Sequence, residues 1–187
     1  VWLNSSFKNN SLYDDVLHLV YCDSVLLKDL VFKNAFGDAI DIDISKNIKV
    51  VGSKFNNSVN DAIDLMQSNV LIENNFINFS GDKGISIGEG TIARINNNKF
   101  VKNDLAVAIK DGSRAEILNS KFLNNKKEIH AYKKNWQYGS GGFAKIENSY
   151  FEDDLINIKS NNNSVINLNN NEFNGKKIFK GKNINLN

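Results

Sequence analysis

The chain has 187 residues, 23 basic against 21 acidic for a net charge of +2, so no global field draws it to nucleic acid or to a membrane surface. A single cysteine, Cys22, excludes an internal disulfide framework, and no apolar run approaches transmembrane length, which argues against membrane insertion. The chain begins at Val1, inside what proves to be a repeat, and shows no signal peptide; it reads as one domain over residues 1–187, a piece of a longer chain.

Taken in chain order, phenylalanines recur at Phe7, Phe32, Phe55, Phe76, Phe100, Phe122, Phe151 and Phe173, with gaps of 25, 23, 21, 24, 22, 29 and 22 residues. Five residues before each stands a bulky apolar residue: Trp2, Leu27, Val50, Leu71, Ile95, Ile117, Ile146 and Leu168. Asparagine precedes the phenylalanine by three residues at Asn4, Asn97, Asn119, Asn148 and Asn170. Asn tolerates tight-turn backbone and its amide can bond an identical neighbour one layer away, so an asparagine ladder is expected at this bend.

Each repeat continues into a second segment with strict alternation, as in "AIDIDIS" (39–45), "AIDLM" (62–66), "GISIGEG" (84–90), "AVAIKDG" (106–112) and "LINIKS" (155–160). Period-two alternation with β-branched residues predicts strands with one face buried. The inward column reads Leu17, Ile40, Ile63, Ile85, Val107, Ile129, Ile156 and Ile178. Two strands per coil joined by Asn- and Gly-rich bends predict an all-β parallel β-helix, a single-stranded solenoid of about eight coils of 21–25 residues with one longer coil. A leucine-rich repeat shares the period, but its second segment is often helical, whereas this one alternates as cleanly as the first. The longer coil carries "KKNWQYGSGG" (133–142), a loop insertion that presents Trp136 and Tyr138. Neither end shows a cap, so flanking domains or a homo-oligomer contact are expected to cover the solenoid ends.

Stacked coils turn the period into a ruler of about 4.8 Å per layer. Aligned on the inward isoleucines, the outward column reads His18, Asp41, Asp64, Ser86, Ala108, His130 and Asn157, and the column at the strand entrance reads Asp38, Asp61 and Lys83. Between them Ala39, Ala62, Gly84 and Ala106 leave room above the sheet. Four carboxylates, Asp38, Asp41, Asp61 and Asp64, therefore project from one patch. Like charges this close must protonate, find a base or recruit a cation; Lys83 is one counter-charge and calcium is the other. Stacked Asp41 and Asp64 would also suit the short carboxylate separation of a glycosidase, although nothing singles out a general acid. His18 and His130 share a column but lie five coils apart, roughly 24 Å, and cannot share a metal.

The architecture resembles the right-handed parallel β-helix superfamily that includes pectate lyases. Locally, "NDAIDL" resembles the aspartate run of calcium-dependent pectate lyases, which implies calcium roles for Asp61 and Asp64, joined by Asp38 and Asp41 of the preceding coil. "KGISIGEG" resembles the strand bearing their catalytic lysine; Ser86 stands at that position, and the lysine comes three residues earlier as Lys83. The resemblance implies an extracellular or cell-surface module associated with polysaccharide, presenting an acidic, calcium-binding patch, with Trp136 and Tyr138 as sugar-stacking rings. Two alternatives stay open: a polysaccharide lyase or epimerase that abstracts a proton beside a uronate carboxylate with Lys83 as its base, and a structural spacer or adhesin segment. Scattered lysines without a basic stripe or aromatic interleaving argue against a nucleic-acid partner.

Overall fold

The computed structural model describes residues 2–4, 15–161 and 163–186, the first three as backbone only. The described chain winds as a parallel β-solenoid of about eight turns without helices. No helix among the described residues is long and apolar enough to cross a membrane.

A typical coil has three strands rather than the two expected: Lys83–Gly88, Ile92–Asn96 and Lys99–Val101. The segment that the sequence presents as one unit is broken by a corner at Asn97 and Asn98. Ile95 and Phe100 both point inward, but on different walls. One eight-stranded sheet collects the middle strands, while the first and third strands of successive coils join one larger sheet through Tyr150–Ser160. Every pairing among the described strands is parallel, and register is kept from coil to coil, as in Ile63 against Ile85 and Ile85 against Val107, up to a shift between Glu152 and Leu155 in the pairing of Tyr150–Ser160 with Glu172–Lys180.

The interior explains the spacing. Phe32 stacks on Phe55 at 4.9 Å, and Phe100, Phe122, Phe151 and Phe173 stack in series at 4.9, 4.6 and 5.0 Å. These separations match the distance between paired strands, so each ring lies over the next without strain. Phe76 is not in the stack. Ile77 pairs with Phe55 and Phe100 and is fully buried, while Phe76 lies on the outer face beneath the Lys99 amine. The same one-residue correction applies to Leu71, whose place inside belongs to Ile72. Two adjacent apolar residues occur at each site, and only register decides which turns inward.

At the N-terminal end, Trp2 pairs with Val31 rather than standing over Leu27, and Asn4 pairs with Lys33 within a strand rather than at a corner. Phe7 lies outside the described residues. Near the other end, Ile129 pairs with Ile158 rather than Ile156, His130 with Lys159 rather than Asn157, and Ile158 with Phe179 in place of Ile178. Ile156 and Ile158 are both buried two residues apart, and the 29-residue offset that sets Phe151 against Phe122 holds through this coil and selects the second. Alternation alone cannot make that choice.

The asparagine ladder exists, one residue later than expected. Asn97, Asn119, Asn148 and Asn170 hold left-handed backbone, with φ of 53, 50, 50 and 50°, which turns the corner. The buried ladder is built by the residues that follow. Backbone N–H groups of Ser53, Asn75, Asn98, Ser120 and Ser149 donate to side-chain oxygens of Asn75, Asn98, Ser120, Ser149 and Asn171 at 2.8–3.2 Å. These bonds satisfy corner amides that sheet pairing leaves behind. The small residues Ala39, Ala62, Gly84 and Ala106 do not open space above the sheet. They face the interior at a second corner, where a side chain on Gly84 would meet Phe100 and Ile77 at 3.2 and 3.3 Å.

Candidate acidic site on the outer face

Asp38 and Asp61 occupy the corner just before their strands, and the corner explains their chemistry. The Asp38 Oδ1 accepts the Asp61 N–H at 2.7 Å, and the Asp61 Oδ1 accepts the Lys83 N–H at 2.8 Å. One coil earlier Asp15 accepts the Asp38 N–H at 3.0 Å. Each carboxylate thus replaces a backbone acceptor where the chain bends, which fixes it rigidly and leaves its second oxygen for other partners. Asp41 and Asp64 arrive differently, as outward residues of strands Ile40–Asp43 and Ile63–Met66, directly paired with each other.

The patch is two clusters rather than one. Oxygens of Asp38, Asp61 and Asp64 lie within 4.8 Å of one another. Asp41 instead groups with Asp15 and His18 under the same limit. The His18 Nε2 sits 3.0 Å from Asp43 and 3.3 Å from Asp41, and the hydrogen bond with Asp43 leads the influences that raise its pKa. Asp15, absent from the acidic column set out above, stands 23 residues before Asp38 and so in phase with it. The period was the signal that could have found it.

Burial sets the electrostatics. Asp61 is only 3% exposed. Its burial, with repulsion from Asp64 and Asp38, outweighs the pull of Lys83 and lifts its pKa to about 7. Burial and the charge of Asp64 raise Asp38 to about 6, against the stabilising N–H of Asp61. Asp41 rises to about 7 through burial and the neighbouring Asp43 and Asp64. Lys83 is held 3.4 Å from Asp61 and closely paired with Asp82. Burial opposes its charge, but those two carboxylates raise its pKa above the ordinary lysine value. It is an ammonium at neutral pH. Ser86 lies in register beside Asp64, fully buried, and its hydroxyl has no hydrogen-bond partner among the described residues.

The insertion after Tyr132 reaches back over this face. Asp111, fully buried, accepts the N–H groups of Lys134 and Asn135 at 2.7 and 2.8 Å. Gly142 closes the loop where any side chain would collide with the Ile109 carbonyl, 2.1 Å from its first carbon. Tyr138 is partly buried, and its hydroxyl lies 3.4 Å from the Gln67 amide, just past the strand that carries Asp64. Trp136 is 83% exposed at the crown of the loop. The two rings therefore differ: Tyr138 docks the loop, and Trp136 faces solvent.

No curated protein matches the chain significantly. Among solved structures it is similar to the family 28 exopolygalacturonase of Yersinia enterocolitica (15% identity, TM-score 0.44), covering 88% of this chain and 46% of that one. It is similar to an alginate lyase from Paenibacillus sp. str. FPU-7 at 12% identity and TM-score 0.44, covering 98% and 99% of the two chains. The mannuronan C-5 epimerase AlgE4 A-module of Azotobacter vinelandii gives 14% identity and TM-score 0.39, covering 88% of this chain and 64% of that one. This chain thus spans about half the length of the exopolygalacturonase. Residues 2–136 match the family described as "Right handed beta helix region", and with its coil-to-coil register and stacked core the chain belongs to that family.

Proposed function

We propose that the chain is an extracellular or surface β-helix module that associates with polysaccharide and holds a calcium ion in its acidic patch. One observation carries the calcium reading: Asp38, Asp61 and Asp64 converge within 4.8 Å on a rigid sheet, with raised pKa values on Asp38 and Asp61. Lys83 offsets only part of the charge of three converging carboxylates, since it is shared with Asp82, and a divalent cation would remove the remaining conflict. The donor set fits a hard ion. All three groups offer oxygen, and the unpartnered Ser86 hydroxyl beside Asp64 adds a fourth oxygen. When bound, the ion would supply a fixed positive charge that pairs with a carboxylate of an acidic sugar. Trp136, exposed on the inserted loop, supports the polysaccharide reading, because an indole offers flat apolar surface to a sugar ring.

Thermal unfolding in calcium and in chelator tests this. Calcium should raise the melting temperature, and Asp64→Ala should abolish the rise; a rise that survives in Asp64→Ala places the ion elsewhere.

A second reading, lyase or epimerase chemistry, is favoured by Asp41 and Asp61, whose pKa values near 7 suit proton transfer at neutral pH. In that reading Lys83, kept protonated by Asp61 and Asp82, neutralises a uronate carboxylate instead of abstracting the proton. Incubation with polyuronates, followed by ultraviolet absorbance of unsaturated products and by epimer ratio, decides it. Neither product from pectin or alginate leaves binding alone.

A further inference from the structure

The outward column that begins with His18, Asp41 and Asp64 ends in the opposite charge. His130 pairs with Lys159, and Lys159 pairs with Lys180, so two ammonium groups are carried on adjacent coils at the inter-strand spacing. Two adjoining cavities, about 530 and 150 Å³, share Lys159 and Lys180 in their walls. The larger adds Lys133, and the smaller adds Lys127 and His130. Among the described residues no carboxylate lines either cavity. Elsewhere lysines pair with acids, as Lys126 does with Asp104 and Lys145 with Glu147, but none of these four has an ion pair among the described residues.

We infer that this trough binds the anionic groups of a linear acidic polysaccharide, carboxylates or sulfate esters, with Lys159 and Lys180 as its central contacts. Stacked like charges repel, and an oxyanion placed between them relieves the repulsion while gaining charge-assisted hydrogen bonds. An open trough with four cations along it suits a ligand carrying anions in series better than one small anion. Ser160, Asn161 and Asn163 on the same wall are neutral partners for sugar hydroxyls. Among the described lining residues His130 is the one ring, so neither cavity offers a row of aromatic platforms on which successive nucleobases would stack. His130 is a neutral element: burial, assisted by Lys159 and Lys127, lowers its pKa against a hydrogen bond to Asn161 at 3.2 Å. The inference rests on the polysaccharide reading above, but not on the calcium site.

The test titrates the full chain at low ionic strength with oligogalacturonate, with heparin oligosaccharide, with neutral dextran and with single-stranded DNA. One acidic glycan should bind and dextran should not, and the arm that binds names the anion. The exposed double variant Lys159→Glu/Lys180→Glu should weaken that binding by about tenfold or more, the scale of losing two charge-assisted contacts. Lys28→Glu/Lys49→Glu, which changes the net charge equally on the eight-stranded sheet, should leave it within about twofold. Equal losses in both variants, no preference for either acidic glycan over dextran, or tighter binding of DNA would each overturn the inference. The calcium-induced rise in melting temperature is read in parallel on all proteins. A rise retained without glycan binding rejects this trough alone; glycan binding without a rise in the unmodified chain rejects the calcium site alone.

Discussion

The two ends of one outward column share a backbone and differ in everything that backbone carries. His18, Asp41 and Asp64 form its acidic end, and His130, Lys159 and Lys180 its basic end. Beneath both runs the same apolar column, Leu17, Ile40, Ile63, Ile85, Val107, Ile129 and Ile158. The interior repeats because each coil must fit the coil below it, at close-packed density. The outer face has no such neighbour to satisfy, so its charge can change along the solenoid at little cost in fold. The middle of the column, Ser86 and Ala108, is uncharged and buried, and it separates the two fields.

The sharpest way to break this comparison is to treat an inward residue like an outward one. Phe122 stacks between Phe100 and Phe151. Phe122→Ala should cost about 3–5 kcal/mol, read as a fall in the urea midpoint at constant slope. An effect no larger than that of a surface substitution would mean the stack does not hold the coils together.

Proton linkage distinguishes the acidic end by sign. Asp38, Asp41 and Asp61 titrate at about 6, 7 and 7 in the folded chain, above the ordinary value of 3.8. Between those limits the folded state holds protons that the unfolded state releases. The stabilisation is complete below the unfolded value and is lost as pH rises through 6 to 7. Without calcium the chain should therefore be less stable at pH 8 than at pH 5, by up to about 7 kcal/mol if the three shifts are fully expressed. Buried Glu128, raised to about 8 mainly by burial, contributes with the same sign near the basic end. Asp41→Asn/Asp61→Asn should make the profile shallower between 5 and 7, leaving the contributions of Asp38 and Glu128, the second of which Glu128→Gln removes. A profile that rises with pH in the unmodified chain would contradict the assigned shifts.

Calcium should act on the acidic end alone. At a hundredfold excess over its dissociation constant it should stabilise by about 2.7 kcal/mol, roughly 5–10 °C for a chain of this size. Lys159→Glu/Lys180→Glu should keep that response in full, and loss of it would show that the two ends are coupled. The smallest expected effect belongs to Trp136→Ala. With the ring exposed at the loop crown, stability should change by less than about 0.5 kcal/mol, while affinity for the acidic glycan falls. A large drop in melting temperature would instead make Trp136 part of the loop's packing.

Much of this was legible because the chain repeats itself. The outward register from His18 to His130, the inward column as far as Ile129, and the loop at 133–142 all follow from counting residues. Counting failed where two candidates lay side by side. Phe76 and Ile77 are both apolar, Asn97 and Asn98 are both asparagine, and Ile156 and Ile158 share a phase. The site divided in the same way. The period placed Asp38, Asp41, Asp61 and Asp64 in one patch, but the grouping of Asp41 with Asp15 and His18 depends on side-chain positions that the period does not encode. The basic trough was hidden by the two-residue offset that exchanged Asn157 for Lys159.

By itself the sequence determined the solenoid, its period and the acidic column, because a period-two pattern repeated at fixed spacing can bury its apolar face only by stacking coil on coil. The tertiary structure decided where each coil turns, which of two neighbouring residues faces inward, and how buried each charge is. Those depend on register and corner hydrogen bonds across coils, which join residues 22 to 29 positions apart and are invisible to any local pattern.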